Sequence, residues 1–261
     1  MKILSALSRL WLVPVVLVVW ETTTWLMDDQ YFPRPTEIVA AMYEAWFTGP
    51  AGSMFLTERA LENVPDSIVR LLAGWALASV LGVALGVAMG RSPLLFRLID
   101  PLIQFGRALP PTALLPLFMA LFSTGTSMHV LLIAFGVIWP ILFNTADGVR
   151  SVDPLHLETG RTFALTRTQR MTRIILPSAM PRIFAGLRLS LSLALILMVI
   201  SEIFSVNGIG FLLRDAQQSF ELPTVWGAIV LLGLLGFILN WLFLLVERRA
   251  LSWHRAATRT A

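Results

Sequence analysis

The 261-residue chain offers little with which to make or break covalent bonds. It has no cysteine, and its three histidines, His129, His156 and His254, are too far apart for the H-E-x-x-H pairing that holds a catalytic zinc. Its only lysine, Lys2, follows no glycine-rich stretch, so the P-loop G-x-x-x-x-G-K-[ST], whose amine reaches the terminal phosphates of ATP, is absent. No G-x-S-x-G nucleophile elbow occurs. The expectation is a non-enzymatic protein with no metal or cofactor of its own. What remains is ionic chemistry. Glu21, Arg107, Arg188 and Glu202 lie in apolar surroundings, where a charge costs about 2.5–3.5 kcal/mol on insertion scales and demands a partner or a cavity. Arg188 and Glu202 would stand about 21 Å apart on one helix at 1.5 Å per residue, so neither can satisfy the other. Arg107 is the group best suited to a small anion, because a guanidinium grips sulfonate or carboxylate through two parallel hydrogen bonds. Bracing a proline kink, or for each of these charges snorkelling to the interface, is the plainer alternative. His129 reads as an interface residue at the outer edge of a span.

The elements that must position these groups are membrane helices. The chain is 56% hydrophobic and 14% charged, with mean hydropathy +0.75, against the roughly 25% charged residues of a soluble domain. A hydrocarbon core of ~30 Å needs about 20 apolar residues per helix, and six stretches qualify, near residues 10–27, 68–89, 101–122, 127–146, 184–204 and 225–246. The fold class expected is all-α and polytopic, with six transmembrane helices. Pro110, Pro111 and Pro116 interrupt the third, which should be kinked and face protein, since prolines free backbone groups that lipid cannot satisfy. Placing both termini in the cytoplasm puts sixteen of the twenty basic residues on that side and leaves Arg34, Arg59, Arg70 and Arg214 outside, a strong positive-inside bias. The formal charge of +4 is therefore topological and calls for no nucleic acid. Residues 1–67 form an anchor helix and an external segment in which Thr36 could cap an amphipathic helix running through Trp46. Residues 68–250 form the core, with a cytoplasmic loop over 148–183, and 251–261 form a cytoplasmic tail.

Gly74, Ala78, Gly82, Gly86 and Gly90 recur every fourth residue and so share one helix face, a ridge that lets two backbones approach closely in lipid. The loop after the fourth span is also patterned. Asp153-Pro154 opens a short helix with an N-cap and a first-turn proline; a turn, a second basic amphipathic helix and a stop at Leu176-Pro177 follow. Phe163, Leu165, Met171 and Ile174 on this pair need a soluble partner to cover them. Lipid headgroups could hold a basic loop, but would require neither Glu158 nor the Leu-Pro stop.

Here the chain resembles the membrane subunits of bacterial ABC importers, whose loop signature begins Glu-Ala-Ala and ends Ile-x-Leu-Pro. Glu158-Thr159-Gly160 stands at its start and Ile174-Ile175-Leu176-Pro177 at its end. Arg107 to Leu117, Gly186-Leu187-Arg188 and Ser201-Glu202 are similar to the nitrate/sulfonate/taurine branch. Two positions depart: Thr159 and Gly160 replace the alanines, and Ala164 replaces the turn glycine, which would supply backbone freedom. The resemblance implies a type I importer permease fold, like that of the methionine importer. It implies two permease chains in the inner membrane, a separate cytoplasmic ATPase that binds the ATP, and a periplasmic substrate-binding protein. Glu158, Thr159, Gly160, Arg161, Ala164, Leu165, Leu176 and Pro177 would form the ATPase-coupling loop, and Arg107, Arg188 and Glu202 are candidates for the translocation path of a small organic anion. The alternative is an ion-coupled secondary transporter, which usually shows broken helices at matching positions in two halves and buried carboxylates; here the proline-rich break is single.

Overall fold

The computed structural model describes residues 11–27 and 31–252; Lys2, Arg9 and the tail from Trp253 onward lie outside the described residues. Every regular element is helical among them. In chain order these are α1 (Leu12–Met27), α2 (Pro35–Phe47), α3 (Glu58–Arg91), α4 (Pro93–Ala108), α5 (Leu115–Phe122), α6 (Thr126–Arg150), α7 (Pro154–Thr162), α8 (Arg167–Arg170), α9 (Leu176–Glu202), α10 (Ile209–Gln218) and α11 (Leu222–Ala250). Four stretches are long and apolar enough to cross a membrane: Ala51–Arg91, Thr126–Arg150, Arg167–Glu202 and Leu222–Ala250. The bent pair Pro93–Ala108 and Pro111–Phe122 would make a fifth, and α1, with 16 residues, is shorter than a full span. The expectation of six spans is thus met only as a polytopic all-α fold with four or five clear candidates.

The chain divides into two compact units, Met1–Asp66 with Val206–Leu234, and Ser67–Ser205 with Leu235–Ala261. In the first, α2 buries Ile38 and Trp46 and leaves Val39 and Tyr43 exposed. Trp46 packs with Ala60 and Leu212, flanked by Met42, Ala45 and Leu231. The apolar stripe of α2 therefore covers neighbouring helices of its own unit. Pro35 takes the first helical position and the Glu37 carboxylate accepts the Arg34 N–H at 3.1 Å, as first-turn chemistry favours. Thr36 lies inside the helix and does not cap it: its N–H and hydroxyl donate to Glu21 on α1, at 3.1 and 2.7 Å. Arg59 and Asp215 pair at 2.6 Å.

The second unit is built on α6. A Cβ placed on Gly74, Gly82, Gly86 or Gly90 would come within 2.6–3.0 Å of α6 atoms, at Ile133, Ile141, Thr145 and Val149 respectively. Ala78, in the same register, is fully buried. The ridge read from the sequence is therefore the α3–α6 contact, with backbones close enough for dispersion and weak C–H to O contacts to replace the hydrophobic effect that lipid does not supply. The adjoining face of α6, about 100° round the helix, meets α9 through a second small-residue seam. A Cβ on Gly148 would meet the Ala179 carbonyl at 3.1 Å, and one on Gly186 would lie 2.8 Å from Asn144 and 2.9 Å from the Pro140 carbonyl. Valines and isoleucines at the loop end, Val149, Val152, Ile175 and Ile183, close the core there.

The third span is kinked as its prolines require: α4 and the segment 111–122 meet at 82°. Its expected burial is not met within one chain. Ile103 and Gly106 of α4 are buried, Gly106 against the Trp139 ring, but Leu94, Leu98, Leu102 and Phe105 are each about two-thirds exposed. Leu95, Phe96, Ile99, Ile103 and Gly106 pack toward α6, and the face of Leu94, Leu98, Leu102 and Phe105 has no cover among the described residues.

Candidate functional site

The loop between α6 and α9 is a folded structure. Asp153 caps α7, its carboxylate accepting the Leu155 N–H at 2.8 Å, with Pro154 in the first position. At the other end the Leu165 N–H donates to the Gly160 carbonyl at 3.0 Å and the Ala164 N–H to the Arg161 carbonyl at 2.9 Å. This paired pattern requires a left-handed residue between helix and exit, usually glycine. Ala164 occupies it with φ of 53°. The position at which the sequence departs from the family is thus where the left-handed backbone is needed, and the turn forms with alanine. Thr166 and Gln169 then close a reciprocal capping box, hydroxyl from Gln169 N–H at 3.2 Å and amide oxygen from Thr166 N–H at 2.9 Å, which starts α8.

The expected stop at Leu176-Pro177 does not occur. Residues 167–202 run as one apolar stretch of 36, through a π-helical turn over Met171–Ile175. The Leu176 N–H reaches the Met171 carbonyl, five residues back. A proline at 177 lacks an N–H and would clash with the carbonyl four residues earlier; the wider turn makes room for the ring and lets the helix continue. The second loop helix is therefore the leading end of a membrane helix, continuous with α9.

Of the residues expected to form the coupling loop, Glu158, Thr159, Arg161 and Ala164 are exposed, Leu165, Leu176 and Pro177 are half-buried, and Gly160 is buried. Gly160 faces Ile174, whose Cδ1 lies 2.6 Å from where a Cβ would stand. Of the four apolar side chains expected to need an external cover, Met171 and Ile174 pack on the core of their own unit. Phe163 stays 74% exposed, as does Leu155 at 64%. The exposed surface of α7 thus includes Leu155, Glu158 and Arg161, with Phe163 exposed at its C-cap.

The charges inside the apolar stretches sit as follows. Glu202 is fully buried: its carboxylate accepts from Arg70 Nη1 at 3.0 Å and from the Ser67 hydroxyl at 2.8 Å. Beside it the fully buried His129 lies 3.1 Å from Ser201 Oγ through Nδ1. The Ser201 hydroxyl donates to the Met198 carbonyl at 2.8 Å, so the imidazole is the donor to Ser201. His129 is therefore an interior residue, not the interface residue expected. Arg70, counted among the outer arginines by topology, is 4% exposed. Sequence reasoning missed its role, although it stands four residues before Gly74 and so on the buried ridge of α3. Arg188 pairs with Glu247 at 3.7 Å. Arg107 is exposed, its guanidinium 4.8 Å from the Phe143 ring centre. These residues do not converge on one point; they mark separate places on the second unit. No cluster of three or more metal-capable side chains occurs among the described residues.

The chain is thus a polytopic helical membrane protein with a capped, exposed loop helix feeding a membrane helix. The same fold is found in the inward-facing methionine ABC transporter MetNI, two structures of which align with TM-score 0.65. They share 16% and 15% identity and cover 72% and 77% of this chain and 94% and 99% of theirs. Among curated relatives, the taurine transport system permease of Escherichia coli (strain K12) is 28% identical over 92% of this chain and 87% of its own. The putative aliphatic sulfonates transport permease of Bacillus subtilis (strain 168) is 30% identical over 93% and 86%. The nitrate import permease of Leptolyngbya laminosa is 34% identical over 68% and 64%. Residues 78–252 match the family described as binding-protein-dependent transport system inner membrane component, and the chain belongs to that family. It is an ABC importer permease that translocates a small solute, partnered by an ATPase and a substrate-binding protein.

Proposed function

We propose that the chain moves a small oxyanion, of the nitrate, sulfonate or taurine class, across the inner membrane as one of two identical permease chains driven by two ATPase subunits. The observation that carries this reading is α7. It exposes Leu155, Glu158, Arg161 and Phe163 while its buried Gly160 and left-handed Ala164 lock it to the leading end of α9. On this reading Glu158 and Arg161 make the polar contacts to the ATPase, and Phe163, Ala164 and Leu165 enter its groove. Thr159 and Gly160 set the helix against Ile174, and Leu176 and Pro177 pass the motion into the membrane. ATP is bound by the ATPase alone.

In this arrangement α1 and the bent α4–α5 pair join the four long helices as six spans, and the arginine distribution puts both termini in the cytoplasm. Residues 1–67 are the anchor and external segment, 68–250 the permease core with its loop over 148–183, and 251–261 the tail. The exposed stripe Leu94, Leu98, Leu102 and Phe105 supports a second permease chain and lipid as the cover of α4. Arg107 contacts the solute along the path, while Glu202 and Arg188, through their pairs with Arg70 and Glu247, fix the helices that line it. The named relatives carry taurine, sulfonates and nitrate, which supports an anionic cargo. The test is Glu158→Arg. The variant should insert and dimerise as the parent does but lose the ATPase on co-purification, and retention of the ATPase with normal uptake would remove the coupling role.

A further inference from the structure

The segment between α1 and α3 carries more apolar surface than its own unit covers, and that surface is ordered. Along α2, residues four apart stack above one another in lines. Ile38, Met42 and Trp46 are buried or half-buried in their own unit. One step round the helix Val39, Tyr43 and Phe47 are exposed, and Glu37 and Glu44 are exposed on the side beyond them. A helix on a soluble surface needs two faces, whereas one at the meeting of protein, hydrocarbon and water needs three.

The depth of α2 is fixed by two helices of the same unit. The Glu21 carboxylate of α1 accepts from the N–H and hydroxyl of Thr36 in the first turn of α2, and neighbouring Trp20 meets Trp226 of α11, ring centres 5.3 Å apart. Trp226 also meets Phe32 at 5.9 Å and donates its indole N–H to the Tyr31 carbonyl at 3.1 Å. One residue further along α11, a Cβ on Gly227 would stand 2.9 Å from Met42 Cγ. Thr36 and Met42, about 9 Å apart along α2, thus both lie within one residue of the Trp20–Trp226 pair, so α2 runs along that level rather than across it. The 29 residues of α11 span about 43 Å, the thickness of a bilayer with its headgroups, of which roughly the last 6 Å on each side is interfacial. Trp226 is four residues, again about 6 Å, from the start of that helix. Clustered aromatic rings mark this boundary, and α2 lies in the plane where headgroups meet hydrocarbon.

The turn that follows holds two more apolar side chains outward. Met54 and Phe55 are both left-handed, with φ of 56° and 66°, a conformation in which a side chain crowds its own backbone. Hydrogen bonds impose it. The Phe55 N–H donates to the Pro50 carbonyl at 3.2 Å and the Gly49 N–H to the Phe55 carbonyl at 2.9 Å; the Thr57 N–H and hydroxyl donate to the Trp46 and Ala45 carbonyls at 3.2 and 2.7 Å. Burial does not offset the strain, since Met54 is 83% exposed and Phe55 61%. Strain of this kind gathers where a chain meets a ligand or a partner.

We propose that α2 and the turn over 50–57 form a phospholipid-binding ledge. Val39, Tyr43 and Phe47 rest on the acyl chains of the adjacent leaflet, Met54 and Phe55 enter it, and Glu37 and Glu44 stay in water. The segment expected to be external is then part of the membrane boundary. Because only α1, α2 and the first turns of α11 set its depth, the ledge is the same for either orientation of the chain and for any cargo.

The chain has no cysteine, so single replacements take a nitroxide label cleanly. The full chain is reconstituted in phosphatidylcholine vesicles with the label at Tyr43→Cys, at Met54→Cys or, on the acidic side, at Glu44→Cys. Collision with oxygen, which concentrates in hydrocarbon, is compared with collision with a water-soluble nickel chelate. The oxygen-to-nickel ratio at positions 43 and 54 should exceed that at 44 by about threefold or more. If Tyr43→Cys is not recovered folded, Phe47→Cys replaces it with the same expectation. A ratio no higher than at 44 puts the ledge in water, and poor access to both reagents puts it under another protein chain, a second copy included. Either result at position 43, its replacement 47, or 54 overturns the proposal.

Discussion

At φ of 53°, the methyl group of Ala164 crowds its own backbone, at a cost of roughly 1–2 kcal/mol relative to glycine. Part of that is offset by the smaller freedom of alanine in the unfolded chain. Ala164→Gly should therefore stabilise the turn by about 1 kcal/mol, read as slower hydrogen exchange at the Leu165 amide, which donates to Gly160. Faster exchange would mean that the left-handed backbone carries no strain. The departure from the family pattern was legible in the sequence; the hydrogen bonds that hold the turn despite it were not, because they join positions whose spacing matters only once the helix has ended. The Arg70–Glu202 pair makes a second test at this scale. Removing one partner from a buried pair leaves an uncompensated charge and costs about 3–5 kcal/mol. Arg70→Leu should lower the unfolding midpoint in detergent sharply, and Arg70→Leu with Glu202→Leu should recover most of the loss. Equal loss in single and double variants would show that packing, not the charge, is at stake. Glu202 was singled out from sequence for its apolar surroundings, whereas Arg70 was counted as an outer arginine because topology overrode helical register.

Between elements, the α3–α6 seam depends on side chains that are absent. Gly86→Leu puts a Cβ where Thr145 Cβ is 2.6 Å away and the Leu142 carbonyl 2.8 Å away. Backbone is not a flexible neighbour, so the helices must separate, and overpacking of this kind typically costs 1–3 kcal/mol or more. Gly233 in α11 meets nothing within 4 Å, and Gly233→Ala should be neutral or mildly stabilising on helix propensity. A comparison of folded yield and thermal midpoint for the two variants checks the account; similar behaviour would refute it. Here the sequence reading was good because a four-residue repeat of small residues is a local signal with one geometric meaning. The α6–α9 seam was not seen, since Gly148 and Gly186 follow no short repeat. The run through Pro177 was also missed: a proline ordinarily ends a helix, and only the π-turn ahead of it, which has no compositional mark, lets the chain continue.

For the molecule as a whole, hydropathy located the long spans, whose apolar runs match helices α3, α6, α9 and α11 to within their frayed or extended ends. The proline-rich third segment was legible as a break but not in angle, and its outward apolar face stays exposed among the described residues. The patterned loop was legible in the sequence, and Leu155, Glu158, Arg161 and Phe163 are exposed on it. The most direct measurement is solute uptake in proteoliposomes containing the permease with its ATPase and binding protein. Uptake should require ATP, persist when ionophores collapse the proton and sodium gradients, and cease with Glu158→Arg. Accumulation by the purified chain alone, or uptake that follows an ion gradient and ignores ATP, would contradict the account.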